Sequence, residues 1–171
     1  MNQKSTLIES HTIVVMVDNE PGVLARVIGL FAGRGYNIES LTVAETDKAA
    51  HTSRITVVTS GTPAVIEQIK AQLGRLVPVH RVVDVTTEKV GVEREMALIK
   101  VAGTGDKRVE ALRVSQVFRA KVLDTSHSSF VFEITGAPSK IDAFIELMRP
   151  LGLVEVSRTG VAAISRGAEA M

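Results

Sequence analysis

The chain of 171 residues has no cysteine and no tryptophan, and aromatic residues make up only 4% of it. Without thiols there is no disulfide framework, no thiolate metal site and no cysteine nucleophile. One tyrosine and five phenylalanines are too few for base-stacking platforms. An excess of one charge is missing as well. Residues 1–88 carry 8 basic and 9 acidic side chains, residues 89–171 carry 12 and 10, and the net charge is +1. Neither half resembles an electrostatic nucleic-acid binder. No apolar run approaches the ~20 residues of a bilayer span. The first ten residues include Asn2, Gln3, Lys4 and Glu9 and lack an apolar core and a cleavage site. A cytoplasmic protein, with neither a membrane nor a nucleic acid as partner, is expected.

What remains is ordinary globular composition, 45% hydrophobic and 23% charged. Thr12–Asp18 is short, apolar and β-branched and reads as a buried strand. After Asn19-Glu20-Pro21-Gly22, the spacing of Val23, Leu24, Val27, Ile28 and Phe31 predicts a helix, stopped by Gly33-Arg34-Gly35. Strands follow at Tyr36–Thr46 and Ser53–Thr59. A helix starts at Pro63 with Val65, Ile66, Ile69 and Leu73 inward, and a strand covers Val77–Thr87. The order is β-α-β-β-α-β. A short connection is expected at about residues 88–92.

The order then repeats without obvious identity. A strand at Glu95–Ala102 leads through Gly103-Thr104-Gly105 into a helix with Val109, Leu112, Val117 and Phe118 as its apolar face. Lys121–Thr125 and Phe130–Thr135 read as a hairpin. Ile141, Phe144, Ile145 and Met148 stripe the next helix, and Pro150-Leu151-Gly152 ends it. Leu153–Ser157 and Val161–Ile164 are expected to form one strand bent at Gly160, with a loose tail after Gly167. The fold class is therefore α+β: two tandem ferredoxin-like βαββαβ domains, over 11–88 and 92–167. Units of this size bury only about 60–65% of their unfolded surface. Thr12–Asp18 and Arg54–Ser60 are apolar on both alternating sets, so a second cover for the sheet is expected, by sheet packing or edge pairing with another copy.

Catalytic chemistry is poorly supported. His11, His51, His80 and His127 have no metal-binding spacing, and there is no nucleophile elbow or Walker loop. Gly103-Thr104-Gly105 and the hydroxyl run Ser126–Ser129 read as ordinary turns. Two segments are more informative. In Asp18–Leu24, free amides of a helix start, a glycine without Cβ and an amide side chain suit an α-amino acid, whose carboxylate would meet the helix end. Val23 and Leu24 would wall it. The blander alternative is that Asn19 caps the helix and Pro21 starts it. In Arg34–Leu41, Asn37 precedes an edge strand, or is simply a turn asparagine.

Read together, D-N-E-P-G-V-L-A-R-V-I-G-L-F-A-G-R-G-Y-N-I-E-S-L-T-V-A at residues 18–44 resembles the ACT domain of the small regulatory subunit of acetolactate synthase, also called acetohydroxyacid synthase. V-E-R-E-M-A-L-I-K-V at 92–101 and V-S-R-T-G-V-A-A-I-S-R-G at 156–167 are similar to that family's C-terminal part. The resemblance implies a chain with no catalytic or metal-ligating residues and no cofactor of its own. Its partner would be a large catalytic subunit holding thiamine diphosphate, a divalent metal (Mg2+) and FAD. That subunit opens valine, leucine and isoleucine synthesis. The small subunit would activate it and make it sensitive to valine, bound between the ACT domains of a homodimer. The resemblance assigns Asn19 and Gly22 to the ligand backbone and Asn37 to the facing protomer. Val23, Leu24 and Ile38 complete the inferred wall. Residues 1–80 are then expected to suffice for dimerisation and binding. Arg94, Lys100, Lys107, Arg108, Arg113, Arg119 and Lys121 are either the large-subunit contact or a solvated face. A stand-alone amino-acid sensor is the main alternative. A phosphate hydrolase of this fold would need an arginine that the first turn lacks.

Overall fold

Alternation along the first strand decides which side of the sheet carries the helices. Ile13, Val15 and Val17 point one way and pack with Ile55 and Val57 of a neighbouring strand under two helices. Val14 and Met16 point the other way and have a different cover. The computed structural model describes residues 7–88 and 91–171. In chain order they form β1 (Glu9–Asp18), α1 (Val23–Gly33), β2 (Ser40–Asp47), β3 (Thr52–Gly61), α2 (Pro63–Leu73), β4 (Val79–Asp84) and α3 (Val85–Glu88). Then follow β5 (Gly91–Ala102), α4 (Gly105–Val117), β6 (Lys121–Thr125), β7 (Ser129–Gly136), α5 (Pro138–Gly152), β8 (Leu153–Arg158) and β9 (Ala162–Ser165). Lys89 and Val90, inside the expected connection, and residues 1–6 of the expected leaderless start lie outside the described residues.

The chain divides into two units, residues 1–92 with 161–171, and residues 93–160. In the first, an antiparallel sheet of order β2-β3-β1-β4 carries α1 and α2 on one face. Val23, Val27, Leu30 and Phe31 of α1 and Ile66, Ile69 and Leu73 of α2 fill the core. Each helix buries one stripe, as its spacing requires. α2 is capped by Thr62, whose hydroxyl accepts from the Val65 amide.

The opposite face explains why β1 is apolar on both sides. Val14 packs with Val85 and Ala163, and Met16 and Met171 close around them. Arg54 and Arg81 lie opposite Met16 on its two flanking strands. Each donates to a backbone carbonyl of the C-terminal segment, Arg54 to Ala163 and Arg81 to Ala170. Residues 161–171 thus cover a face for which a second copy was one expected cover. The expected loose tail changes accordingly, since Met171 and the Ala170 carbonyl are held on this sheet, while β8 and β9 both pair with β5 on either side of Gly160. β8 ends at Arg158, Gly160 turns the chain at φ +86°, and the rest belongs to the first unit. At the end of β4, buried Asp84 accepts from His11 Nδ1 at 2.9 Å and from the amides of Thr86 and Thr87. Three donors satisfy a carboxylate that burial would otherwise penalise.

The second unit has strand order β6-β7-β5-β8. Phe130, Phe132 and Ile134 of β7 meet Ile141, Phe144, Ile145 and Met148 of α5, the stripe expected from the sequence. The face of α4 differs from expectation. Ala111 and Ser115 are buried and Val114 and Phe118 half-buried, whereas Val109 and Val117 are 68% and 74% exposed. Residues 111, 114, 115 and 118 follow i, i+3, i+4, i+7, which is one helix face; 109 and 117 do not share it. Small residues on that face let α4 lie close to its neighbours. Arg158 clamps the buried carboxylate of Glu95 with two 2.7 Å bonds and reaches Asp142. The Glu95 hydrogen bond holds the guanidinium above its usual pKa, burial opposes this, and Asp142 adds to the rise.

Candidate effector site

The turn from β1 to α1 leaves a helix start without a side-chain cap. Gly22 occupies the cap position in the left-handed region, at φ +87° and ψ −7°. A side chain there would be strained, and glycine is not. The Val23 amide bonds to the Glu20 carbonyl at 3.3 Å, and the Arg26 amide to Gly22 at 3.1 Å. Between them, the amides of Leu24 and Ala25 find no acceptor among the described residues. No atom lies within 4 Å of where a Gly22 Cβ would sit. Two donors without a partner among the described residues thus lie at the positive end of an 11-residue helix, next to the open position at Gly22.

Asn19 does not cap this helix. Its amide nitrogen Nδ2 donates to Glu45 Oε1 at 3.0 Å, and its backbone N–H to the His51 carbonyl at 2.7 Å. Both bonds tie the turn to the β2–β3 hairpin, where His51 takes φ +49°. Sequence reasoning missed Glu45. A lone acid near a strand end carries no signal, and only the pairing of Glu45 with Ser53 brings it to this end of the sheet. Asp18 sits beside it and accepts from His80 at 2.6 Å.

Val23, expected in a ligand wall, is only 4% exposed and belongs to the core beneath α1. A helix residue one step past the cap points into the sheet, so its side chain is already used. Leu24 is 37% exposed and available. Ile38 is half-buried against the same core. Asn37 is exposed, with its carbonyl accepting from Thr59 Oγ1 at 2.7 Å.

The ladder fixes how far these groups are apart. Asp18 pairs with Thr52 and His11 with Thr59, so Asn19 lies at one end of β3 and Asn37 at the other. About seven residues of strand at ~3.3 Å each separate the ends by ~23 Å. One copy brings Asn19, Gly22, Leu24 and Glu45 together and leaves Asn37 and Ile38 far away. β2, which joins the two ends, is an edge strand with Val43 exposed on it.

Elsewhere, Lys100 pairs with Glu155, Arg113 with Glu110 and Lys121 with Glu133. The Lys100 hydrogen bond and charge lower the Glu155 pKa. Arg108 stacks 4.0 Å over Phe130. Arg94 donates to the Glu93 carbonyl, so five of the seven expected contact cations have partners inside the second unit. Among the described residues no group of three or more His, Asp or Glu is placed to hold a metal ion. No described helix is long and apolar enough to cross a membrane.

Residues 13–81 match the family model described as AHAS small subunit-like ACT domain, and residues 94–167 the one described as small subunit of acetolactate synthase. The acetolactate synthase small subunit of Aquifex aeolicus is 46% identical over 93% of this chain and 82% of its own length. The isozyme 3 small subunit of Escherichia coli is 44% identical over 92% and 96%. The crystal structure of the small subunit from Thermotoga maritima superposes with a TM-score of 0.81 at 40% identity, covering 94% of this chain and 99% of that one.

Proposed function

Because the chain belongs to the acetolactate synthase small-subunit family, we propose that it is the non-catalytic regulatory partner of a large catalytic subunit. It raises that subunit's activity and makes it responsive to valine. Branched-chain amino acid biosynthesis is the setting that follows from the family, and a cytoplasmic location goes with it. Thiamine diphosphate, Mg2+ and FAD would belong to the large subunit; the described residues offer no ligand cluster for the metal.

The observation that carries the proposal is the placement of Asn19 and Asn37 at opposite ends of an unpaired edge strand. If β2 of two copies pairs antiparallel about a two-fold axis near its middle, the Ser40 end of one meets the Asp47 end of the other. Asn37 and Ile38 of one copy then stand beside Asn19, Gly22, Leu24 and Glu45 of its partner. Pairing also removes an exposed edge that a small sheet must otherwise protect. Two equivalent sites form per dimer.

In each site the ligand carboxylate takes the free amides of Leu24 and Ala25. The helix end stabilises it by about 0.3–1 kcal/mol beyond the hydrogen bonds. Glu45, held by Asn19, offers a carboxylate to the ligand ammonium, and Asn37 closes the polar end from the facing copy. Leu24 and Ile38 form the apolar wall. A wall of this kind separates neighbours differing by a methylene by only ~1–3 kcal/mol, so leucine and isoleucine bind more weakly than valine without being excluded. Bound ligand favours one dimer arrangement, and the large subunit reads that preference as a coupling of about 1–3 kcal/mol. The test is to mix the purified chain with its large subunit and record pyruvate condensation with and without valine. Activation with inhibition by valine is expected; activation that valine leaves untouched would refute the effector assignment.

A further inference from the structure

The C-terminal segment touches β2 where the proposed effector site ends. Ser40, three residues after Asn37, accepts through its hydroxyl from the backbone N–H of Val161 at 3.0 Å. Val161 is 4% exposed, so water has little access to replace that acceptor. Just before it, the chain is pinned elsewhere. The Thr159 amide donates to the Met96 carbonyl at 3.0 Å, and the Met96 amide to Thr159 Oγ1 at 3.1 Å. Arg158 holds Glu95 with two bonds. Just after it, the Ala163 carbonyl accepts from Arg54, and its side chain packs on Val14 and Val85. Gly160, at φ +86°, is the single residue between the Thr159 anchor and Val161, and β9 beyond it pairs with β5.

We infer that the Ser40 hydroxyl is the positioning group that couples the effector site to the rest of the chain. This rests on the valine site proposed above. When Asn37 engages a ligand held by the partner copy, the first residues of β2 take up a defined position. Ser40 carries that position to Val161. Across one glycine it reaches Thr159 and Arg158, which are fixed to β5. Ser40 contacts no ligand, so its loss leaves binding intact and cuts transmission.

The experiment measures two quantities on the same proteins. Calorimetry gives valine affinity for the full chain, and condensation by the reconstituted holoenzyme gives activation and inhibition. Ser40→Ala is expected to bind valine with wild-type affinity and activate normally, while the inhibitory effect of valine falls by about fivefold or more. Ser40→Thr, which keeps the hydroxyl, is expected to restore inhibition. Hydrogen exchange on the wild-type chain gives a readout free of folding effects: valine is expected to slow exchange at the Val161 amide. Normal binding with undiminished inhibition in Ser40→Ala, or exchange at Val161 that ignores valine, overturns the coupling alone. Absence of valine binding to the wild-type chain overturns the site, and the coupling with it.

Discussion

Gly22 offers the sharpest perturbation, because its two roles separate by substitution. Its φ of +87° costs any side chain about 1–2 kcal/mol, and its Cβ position is otherwise empty to 4 Å. Gly22→Ala therefore carries strain alone. At about 2–4 °C per kcal/mol for a chain of this size, it should lower Tm by only a few degrees. Gly22→Asp carries no more strain, since aspartate tolerates this region better, but it sets a carboxylate beside the Leu24 and Ala25 amides. A ligand carboxylate ~4 Å away would be repelled by ~4 kcal/mol at an effective dielectric of ~20. That is close to three decades in Kd, and screening by solvent leaves at least about two. Titration calorimetry with valine on both variants, with thermal melts alongside, gives the comparison. Equal affinities for Gly22→Asp and Gly22→Ala would show that no carboxylate docks at this helix end.

The other expectations probe separate parts of the structure. Val23→Ala removes two buried methyl groups from the core, so it should cost about 1–2 kcal/mol of stability, seen in melts, with valine affinity unchanged. Asp84→Ala leaves the buried His11 ring without its acceptor, and the first unit should lose about 2 kcal/mol, or roughly 4–8 °C. Ending the chain at Gly160 strips the cover from Val14 and Val85. Loss of about 3 kcal/mol is expected in the melting of the first unit, against no loss if the segment merely rests there.

Periodicity was enough to read most of the fold. Ile141, Phe144, Ile145 and Met148 mark their helix without ambiguity, because i, i+3, i+4, i+7 has one geometric solution. α4 was misread because its buried face is small, and Ala111 and Ser115 carry little hydrophobic signal. The return of residues 161–171 to the first sheet was invisible for another reason. Apolar strands such as Thr12–Asp18 state that both faces are covered, but not by what. That return also means that residues 1–80, expected to suffice alone, lack Val83, Val85 and Ala163 of their own unit. In and around the candidate site, Gly22 and the two asparagines were legible as turn chemistry. Glu45 and Ser40 were not, since each acquires a neighbour only through strand pairing or the returning segment. Val23 was assigned to the wall because sequence spacing does not distinguish a residue facing a pocket from one facing the core.

A site shared between copies is tested most directly by mixing two defective chains. Gly22→Asp and Asn37→Ala, each alone, spoil every site of their own homodimer. In a mixed dimer one site combines both lesions, and the other has an intact turn from one chain and an intact Asn37 from its partner. After exchange at equal amounts, about a quarter of all sites should bind valine with wild-type affinity by calorimetry. No high-affinity sites in the mixture, although the two chains demonstrably exchange, would mean that the turn after Asn19 and Asn37 never serve the same ligand.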